Sequence, residues 1–390
     1  MNFQSSTYQN LITSLLLNGN FIQNTGLMHG KTGLTILFYH LAKANGNPAF
    51  ENFANELVDD ICTNLTSQMP ADFENGLEGI GWGMEYLIQN GFLEADADEV
   101  LEEFDKQIFR KFLENTPANI GLLNGILGTG YYFLMRSKNS KQKQESILSK
   151  TNELALLQII NHIRLVLPET DVLIKEPQKS ITSVQKESIN QQQQSVPVFD
   201  STWELPLLIG FLAELDKKPT GFESLVVKLL TSLKSDSNLP VLQCNKRLLL
   251  LSLSKLKNSL QKDLFKSTEN SKDPGIREIL CLTGEVITKL ILSQDDEKYT
   301  NEIKVLDLTI RNGIAGMALI HKKLYEENND VNYKREYESL LSRIESDSFI
   351  NQFRYDYSNP LPKNEQQLGI LQGISGLLIA SLLGEINPQN

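Results

Sequence analysis

The sequence predicts an all-α fold of seven helical hairpins, and three observations support this class. A Gly-x-x-Gly step recurs along the 390 residues, and an apolar run with helical spacing follows each copy. A more polar helical stretch precedes most copies. Strand patterns, meaning period-two alternation or Asn-Gly turns between β-branched runs, are nearly absent.

The glycine pairs set out the repeat along the chain. The five clear copies contain Gly30 and Gly33, Gly76 and Gly79, Gly125 and Gly128, Gly313 and Gly316, and Gly373 and Gly376. The first three copies start 46 and 49 residues apart. The interval before the fourth leaves room for further units, and two apolar runs without the glycine pair fill it, "WELPLLIGFLAEL" and "CNKRLLLLSLSKL". The repeat therefore has seven units.

The repeat also predicts how the helices are layered. The helices that begin with glycines are the most apolar, so we expect them to lie innermost, with polar helices such as "ADEVLEEFDKQIFRKFLEN" outside. The period alone does not distinguish a closed ring from an open solenoid. All units belong to one predicted domain, residues 1–390. A glutamine-rich polar stretch at 176–200 predicts a long mobile loop within it.

Composition and charge exclude several function classes. The net charge of -11 argues against nucleic acid, whose binding requires a basic surface. No apolar run approaches the roughly 18 residues of a membrane span, and the start lacks a signal-peptide pattern, so we predict a cytoplasmic protein. Three widely spaced cysteines indicate reduced thiols. Cys62 and Cys281 lie among apolar residues and are expected in the core.

The repeated glycines allow two interpretations. Glycine at a helix start lets backbones approach closely, so the pairs serve tight packing on one interpretation. On the other, several helix N-termini converge on a shared cavity and direct unpaired N–H groups towards an anion or thiolate. The sequence leaves both open.

The motifs "GLEGIGWGMEYL", "GLLNGILGTGYYFLMR", "RNGIAGMALIHKKLY" and "GILQGISGLL" resemble the lanthionine synthetase C-like (LanC-like) family. The resemblance covers nearly the whole chain and implies an α/α toroid. It also implies the chemistry of the bacterial members, which are peptide cyclases. Their zinc, held by a cysteine in unit five and a Cys-His pair in unit six, binds a peptide thiolate that attacks a dehydrated serine or threonine.

Most of the residues that this resemblance implies are replaced here. Arg311 and Asn312 stand at the Cys-His pair, and arginine has no acceptor atom with which to bind a metal. Trp203 stands where the family has a histidine associated with proton transfer, and Glu204 stands at the following glycine. Cys244 alone falls at a family zinc ligand. We therefore expect no cofactor, and a zinc site only if other residues have rebuilt it.

Polar residues at equivalent positions of the units suggest a peptide-binding lumen. The predicted lining is His29, Asn124, Trp203, Glu204, Arg311, Asn312 and Gln372. Arginine is suited to carboxylates, and the amides to a peptide backbone. An alternative for Arg311 is an ion pair with Asp307. The expected partner is a precursor peptide or a peptide-modifying enzyme.

Three functions follow from these residues. The leading hypothesis is a LanC-like protein of lanthipeptide-type modification that binds or scaffolds peptide without zinc-dependent cyclase activity. The second is an active cyclase with a rebuilt site, with His29 and Cys244 as catalytic candidates. The third is a carbohydrate-active toroid, which needs two facing carboxylates, and Glu78 and Glu204 are its candidates. Whether the chain is an enzyme stays open at this point.

Overall fold

The computed structural model describes residues 6–140, 147–167, 203–216, 218–266, 274–306, 308–311, 313–345 and 368–385. The predicted loop at 176–200, Asp307 and Asn312 lie outside these ranges. The described residues form α-helices and short 3-10 turns and contain no strand. The predicted all-α class is therefore confirmed.

Sixteen α-helices lie within the described ranges. They are α1 (Ser6–Asn18), α2 (Lys31–Asn45), α3 (Pro48–Asn64), α4 (Leu77–Gln89), α5 (Ala97–Val100), α6 (Glu102–Glu114), α7 (Ile126–Ser140), α8 (Ile147–Val166), α9 (Glu204–Glu214), α10 (Phe222–Ser232), α11 (Gln243–Lys266), α12 (Pro274–Leu292), α13 (Asp296–Val305), α14 (Ile314–Asn328), α15 (Val331–Glu345) and α16 (Ile374–Glu385). The seven inner helices that the repeat predicts are α2, α4, α7, α9, α11, α14 and α16.

Burial separates the inner helices from those that precede them. Every residue of α2 from Lys31 to Leu41 is buried. By contrast, α3 buries one stripe, namely Phe50, Phe53, Ala54, Leu57 and Ile61. Asn47 caps α3 by accepting the Ala49 N–H, and Pro48 occupies its first turn. A helix that is covered on all sides needs apolar residues around its whole circumference, whereas a helix with one solvent-exposed face needs only an apolar stripe.

The chain divides into two compact units. The first, unit A, contains residues 1–117, 122–159 and 296–390. The second, unit B, contains residues 118–121 and 160–295. Within unit B, α9 packs on α11, and α12 packs on both α10 and α11. Lys255 of α11 reaches Glu214 of α9 with an N–O distance of 3.2 Å.

In unit A the inner helices pack side by side in the order α14, α16, α2, α4, α7. The contact between α16 and α2 joins the last hairpin to the first. Successive hairpins of an open solenoid contact only their neighbours in sequence. The packing within unit A is therefore not that of an open solenoid.

The second glycine of each pair lies against the chain's own backbone. An added Cβ at Gly33, Gly79, Gly128, Gly316 or Gly376 would lie 1.8–2.5 Å from the carbonyl oxygen six residues earlier. The turn before the helix thus folds back over the helix start. The same turn also accepts hydrogen bonds from the helix start. The N–H groups of Lys31 and Leu77 donate to the carbonyl oxygens of Asn24 and Pro70, each seven residues earlier.

This geometry decides between the two interpretations of the glycines. The N–H groups of residues 31, 32, 77, 78, 316 and 376 bond to carbonyls of the preceding turns, so they are not presented to an anion or thiolate. At these helix starts the glycines serve close packing.

Gly316→Ala is expected to lower the free energy of unfolding by about 1–3 kcal/mol, because its Cβ would lie 1.9 Å from the Ile310 carbonyl oxygen. Gly284→Ala is the matched control. Gly284 also lies inside a helix, but no atom is within 4 Å of an added Cβ, so this change should raise stability by up to about 1 kcal/mol. Urea unfolding measures both, and equal effects would contradict the packing role.

The expected burial of two cysteines was wrong. Cys62 and Cys281 are exposed. On α12 the buried residues include Ile279 and Thr283, and Cys281 lies between them off the stripe. Apolar neighbours in sequence do not place a residue on the buried face of an amphipathic helix.

Candidate functional site

The turns before the inner helices of unit A are joined by one continuous row of backbone hydrogen bonds, here called the turn belt. Its members are the residues two positions before the first glycine of each pair: Arg311, Leu371, Met28, Glu74 and Leu123. Each N–H donates to the carbonyl of the next member, with N–O distances of 3.2, 3.2, 3.0 and 3.0 Å in that order. Equivalent residues of five hairpins are thereby held in register.

The residue after each belt member carries a polar side chain. These residues are Gln372, His29, Asn75 and Asn124, with the fifth position, Asn312, outside the described residues. Asn124 is exposed, Gln372 and Asn75 are half-buried, and His29 is buried. Asn75 was missed by the sequence prediction, although its place before Gly76 gives the signal. The belt therefore brings the predicted Gln372, His29 and Asn124 to equivalent places on adjacent turns.

His29 is committed to a contact within the protein. Its Nε2 lies 3.0 Å from Oε1 of Glu74, a belt member, and the residue is only 4% exposed. On its other side, a Cβ at Gly369 would lie 2.7 Å from the His29 Cα. His29 thus sits between the turns of the last and second hairpins. This placement makes it a packing element of the belt, while its buried Nδ1 has no partner among the described residues.

Arg311 begins the belt and is exposed. Its N–H bonds to the Leu371 carbonyl, which fixes the backbone of its turn. The turn leads into Gly313, the extended N-cap residue of α14. A guanidinium held at this position donates up to five hydrogen bonds and accepts none.

The other predicted residues belong to unit B. Trp203 precedes α9, and Glu204 begins it; both are half-buried. The Glu204 Oε1 lies 2.6 Å from where a Cβ of Gly121 would be. Cys244 is half-buried in the first turn of α11. Its neighbour Gln243 is buried and accepts the Asp295 N–H.

Glu78 does not suit the carbohydrate hypothesis. It is 4% exposed, and its Oε1 accepts a hydrogen bond of 2.6 Å from the Thr129 hydroxyl of α7. Burial raises the pKa of the Glu78 carboxyl to about 8, with the Thr129 bond opposing and the Asp72 charge reinforcing the shift. A carboxyl enclosed between α4 and α7 cannot reach a glycosidic bond. It is a structural, protonated group at neutral pH.

A buried charge cluster was not predicted from the sequence. Arg136 of α7 is fully buried and donates to Asp105 of α6 through Nε and Nη2, to Glu85 of α4 through Nη1, and to Asp98 of α5 through Nη2. The Tyr132 hydroxyl donates to Asp105 as well. The sequence did contain a signal for this cluster, because Glu85 and Arg136 are charged residues within mostly apolar inner helices. The cluster joins two inner helices to two outer ones.

The zinc site that the family resemblance implies keeps one of its three ligands in this sequence, Cys244. Arg311 cannot coordinate a cation, and the His29 Nε2 contacts Glu74 while its buried Nδ1 has no partner among the described residues. Among the described residues, no group of three or more His, Cys, Asp or Glu is arranged to hold a metal ion.

The fold matches that of a solved structure. Nisin cyclase aligns over 98% of this chain and 93% of its own length, with a TM-score of 0.57 and 14% sequence identity. The predicted class, an α/α toroid of helical hairpins, is therefore confirmed. No curated protein matches the sequence significantly.

Part of the chain also matches a family model. The model of lanthionine synthetase C-like proteins matches residues 22–192, which contain the first three glycine pairs. This part of the chain is therefore similar to lanthionine synthetase C-like proteins, in agreement with the resemblance of the motifs within it. In the part of the chain that the structure describes, no helix is long and apolar enough to cross a membrane.

Proposed function

We propose that this protein binds a peptide in lanthipeptide-type modification and acts as a scaffold, without zinc-dependent cyclase chemistry. The observation that carries the proposal is Arg311, an exposed guanidinium where the resemblance places a zinc ligand. A cation that can only donate hydrogen bonds repels a metal ion and attracts a carboxylate.

The turn belt supports a binding role for this region of unit A. Arg311 and the exposed or half-buried amides of Asn124 and Gln372 lie on turns that backbone hydrogen bonds hold in register. Such preorganised groups lose little freedom on binding. Arginine pairs with a carboxylate through two parallel bonds, and a carboxamide offers one donor and one acceptor to a peptide group. The ligand class is accordingly a peptide, recognised by its backbone and a carboxylate.

The test combines metal content and peptide binding. Protein purified without chelators should hold less than about 0.1 zinc per chain, and Cys244→Ala should not change this value. Arg311→Gln should weaken binding of a dye-labelled peptide with a free C-terminal carboxylate by about tenfold, since a charge-assisted bond contributes about 1.5–3 kcal/mol. Fluorescence anisotropy measures the affinity.

Arg335→Gln on α15 is the matched control, because Arg335 is also exposed but lies away from the belt turns, and it should leave the affinity unchanged. One zinc per chain that is lost in Cys244→Ala, together with thioether formation on a dehydrated precursor peptide, would sink the proposal. That result would establish the rebuilt cyclase instead.

A further inference from the structure

One face of α4 is not covered by the described residues of unit A. Gly83 packs against α2, where an added Cβ would lie 2.3 Å from Thr32, and Gly81 packs against Tyr132 of α7 and Phe104 of α6. These contacts cover the two flanks and the back of the helix. Trp82 and Tyr86, one turn apart, lie on the remaining face and are half-buried.

The two side chains on this face are held rigidly. Their rings stack with centroids 5.5 Å apart and an interplanar angle of 13°. Phe73 meets Trp82 edge-on at 6.1 Å, and the Tyr86 hydroxyl lies 2.8 Å from Nε2 of His40 on α2. Large aromatic side chains fixed before a ligand arrives offer contact area at a low entropy cost.

The position of Trp82 recurs in the neighbouring hairpins. It lies three residues after the second glycine, and the equivalent residues in hairpin order within unit A are Leu319, Ile379, Ile36, Trp82 and Tyr131. All five are apolar, and they occupy equivalent positions on inner helices that pack side by side. Trp82, Tyr131 and Leu319 are half-buried, whereas Ile36 is 5% exposed and Ile379 is 8% exposed. The two aromatic members, on the neighbouring helices α4 and α7, are thus both partly accessible.

We propose that Trp82 and Tyr131 form a docking site for an aromatic or large aliphatic side chain of an extended peptide. The proposal rests on the peptide binding proposed above and names the side-chain class that is selected. The indole N–H of Trp82 has no acceptor among the described residues and remains accessible, so it donates to a main-chain carbonyl of the peptide. The net charge of -11 and the half-exposed Glu74 before α4 favour a basic peptide over an acidic one.

The two tryptophans make a direct test feasible. Trp203→Phe leaves Trp82 as the sole tryptophan, so its emission reports on this face alone. The probe is the acetylated and amidated peptide Lys-Ser-Phe-Ser-Phe-Ser-Lys, which carries no carboxylate for Arg311. Its titration should shift the Trp82 emission saturably. The same peptide with Ala for Phe should bind at least about tenfold more weakly, since burying a Phe side chain contributes about 1.5–3 kcal/mol. Replacing Lys by Glu should weaken binding as well.

Variants of the two aromatic residues locate the contact. With a dye-labelled probe, Trp82→Ala and Tyr131→Ala should each weaken binding about tenfold. Trp82→Phe keeps an aromatic ring but removes the N–H donor and part of the ring area, and it should weaken binding about threefold. Phe265→Ala is the control, because Phe265 is 90% exposed on α11. Equal binding of the Phe and Ala probes, or binding without a change in Trp82 emission, would overturn this site and leave peptide binding intact. If neither these probes nor the carboxylate peptide binds, the proposed function fails as well.

Discussion

Arg136→Met is expected to lower the free energy of unfolding by about 3–5 kcal/mol. The side chain is fully buried, and it pairs with Glu85, Asp98 and Asp105, of which Glu85 is also fully buried. Methionine fills much of the volume but leaves these carboxylates without a cation in a poorly hydrated site. The unpaired buried charge, and not the lost contact area, dominates the cost. Urea unfolding followed by circular dichroism measures it.

Lys106→Met supplies the matched comparison. Lys106 pairs with Glu102 at 2.7 Å on the surface of α6, with the lysine side chain 62% exposed, so its loss should leave the free energy of unfolding almost unchanged. Adding Glu85→Gln to Arg136→Met removes one unpaired charge and should restore at least about 1 kcal/mol, which a double-mutant cycle quantifies. If Arg136→Met lowers the free energy of unfolding no more than Lys106→Met does, the cluster does not stabilise the fold.

Glu78→Gln is expected to make the protein more stable at alkaline pH and to flatten its pH dependence. Burial raises the pKa of Glu78 to about 8 in the folded state from its ordinary value of 4.5. The folded state therefore keeps a proton that the unfolded state releases. The raised pKa of Glu78 stabilises the folded state fully below about pH 4.5. This stabilisation declines as the pH rises and is lost above about pH 8. Between these two pH values the contribution of Glu78 to the free energy of unfolding changes by on the order of 5 kcal/mol.

Glutamine resembles the protonated acid in shape, and its Oε1 can accept the Thr129 bond that Glu78 accepts now. The difference in unfolding free energy between the variant and the unmodified protein, measured at intervals from pH 5 to 8.5, isolates Glu78 from groups such as His40. The pKa of His40 is lowered by burial to about 4, and its contribution is common to both proteins. Glu102→Gln, 51% exposed, is the control. A difference that does not grow with pH would show that Glu78 is not buried as a neutral acid.

The glycine pairs were sufficient to predict the five inner helices of unit A because the requirement is local. Each second glycine must lie against a carbonyl six residues earlier, so the sequence records that contact directly. The family resemblance followed from the same residues. The position of Arg311 on an exposed turn was likewise predictable from its place before Gly313.

Contacts between hairpins were not predictable in the same way. The pairing of His29 with Glu74 and the enclosure of Glu78 by Thr129 join residues 45 and 51 positions apart. The positions of His29 and Glu78 within the repeat do not show which turn or helix each side chain contacts. The turn belt uses only backbone atoms, which no side-chain pattern records. Cys62 was placed wrongly because its neighbour Ile61, and not Cys62 itself, lies on the buried stripe of α3.

The belt has a consequence for the order in which the chain folds during synthesis. The Met28 carbonyl accepts from Ile370 and Leu371, which are synthesised roughly 340 residues later, or about 20–70 seconds at ordinary translation rates. Until then this acceptor has only water, and the side of α2 that meets α16 is uncovered. Closing so long a loop also carries a large entropic cost before any contact compensates it. The contact between the first and last hairpins accordingly forms only after residue 371 has been synthesised, and until then the nascent first hairpin exposes a surface that a chaperone could cover.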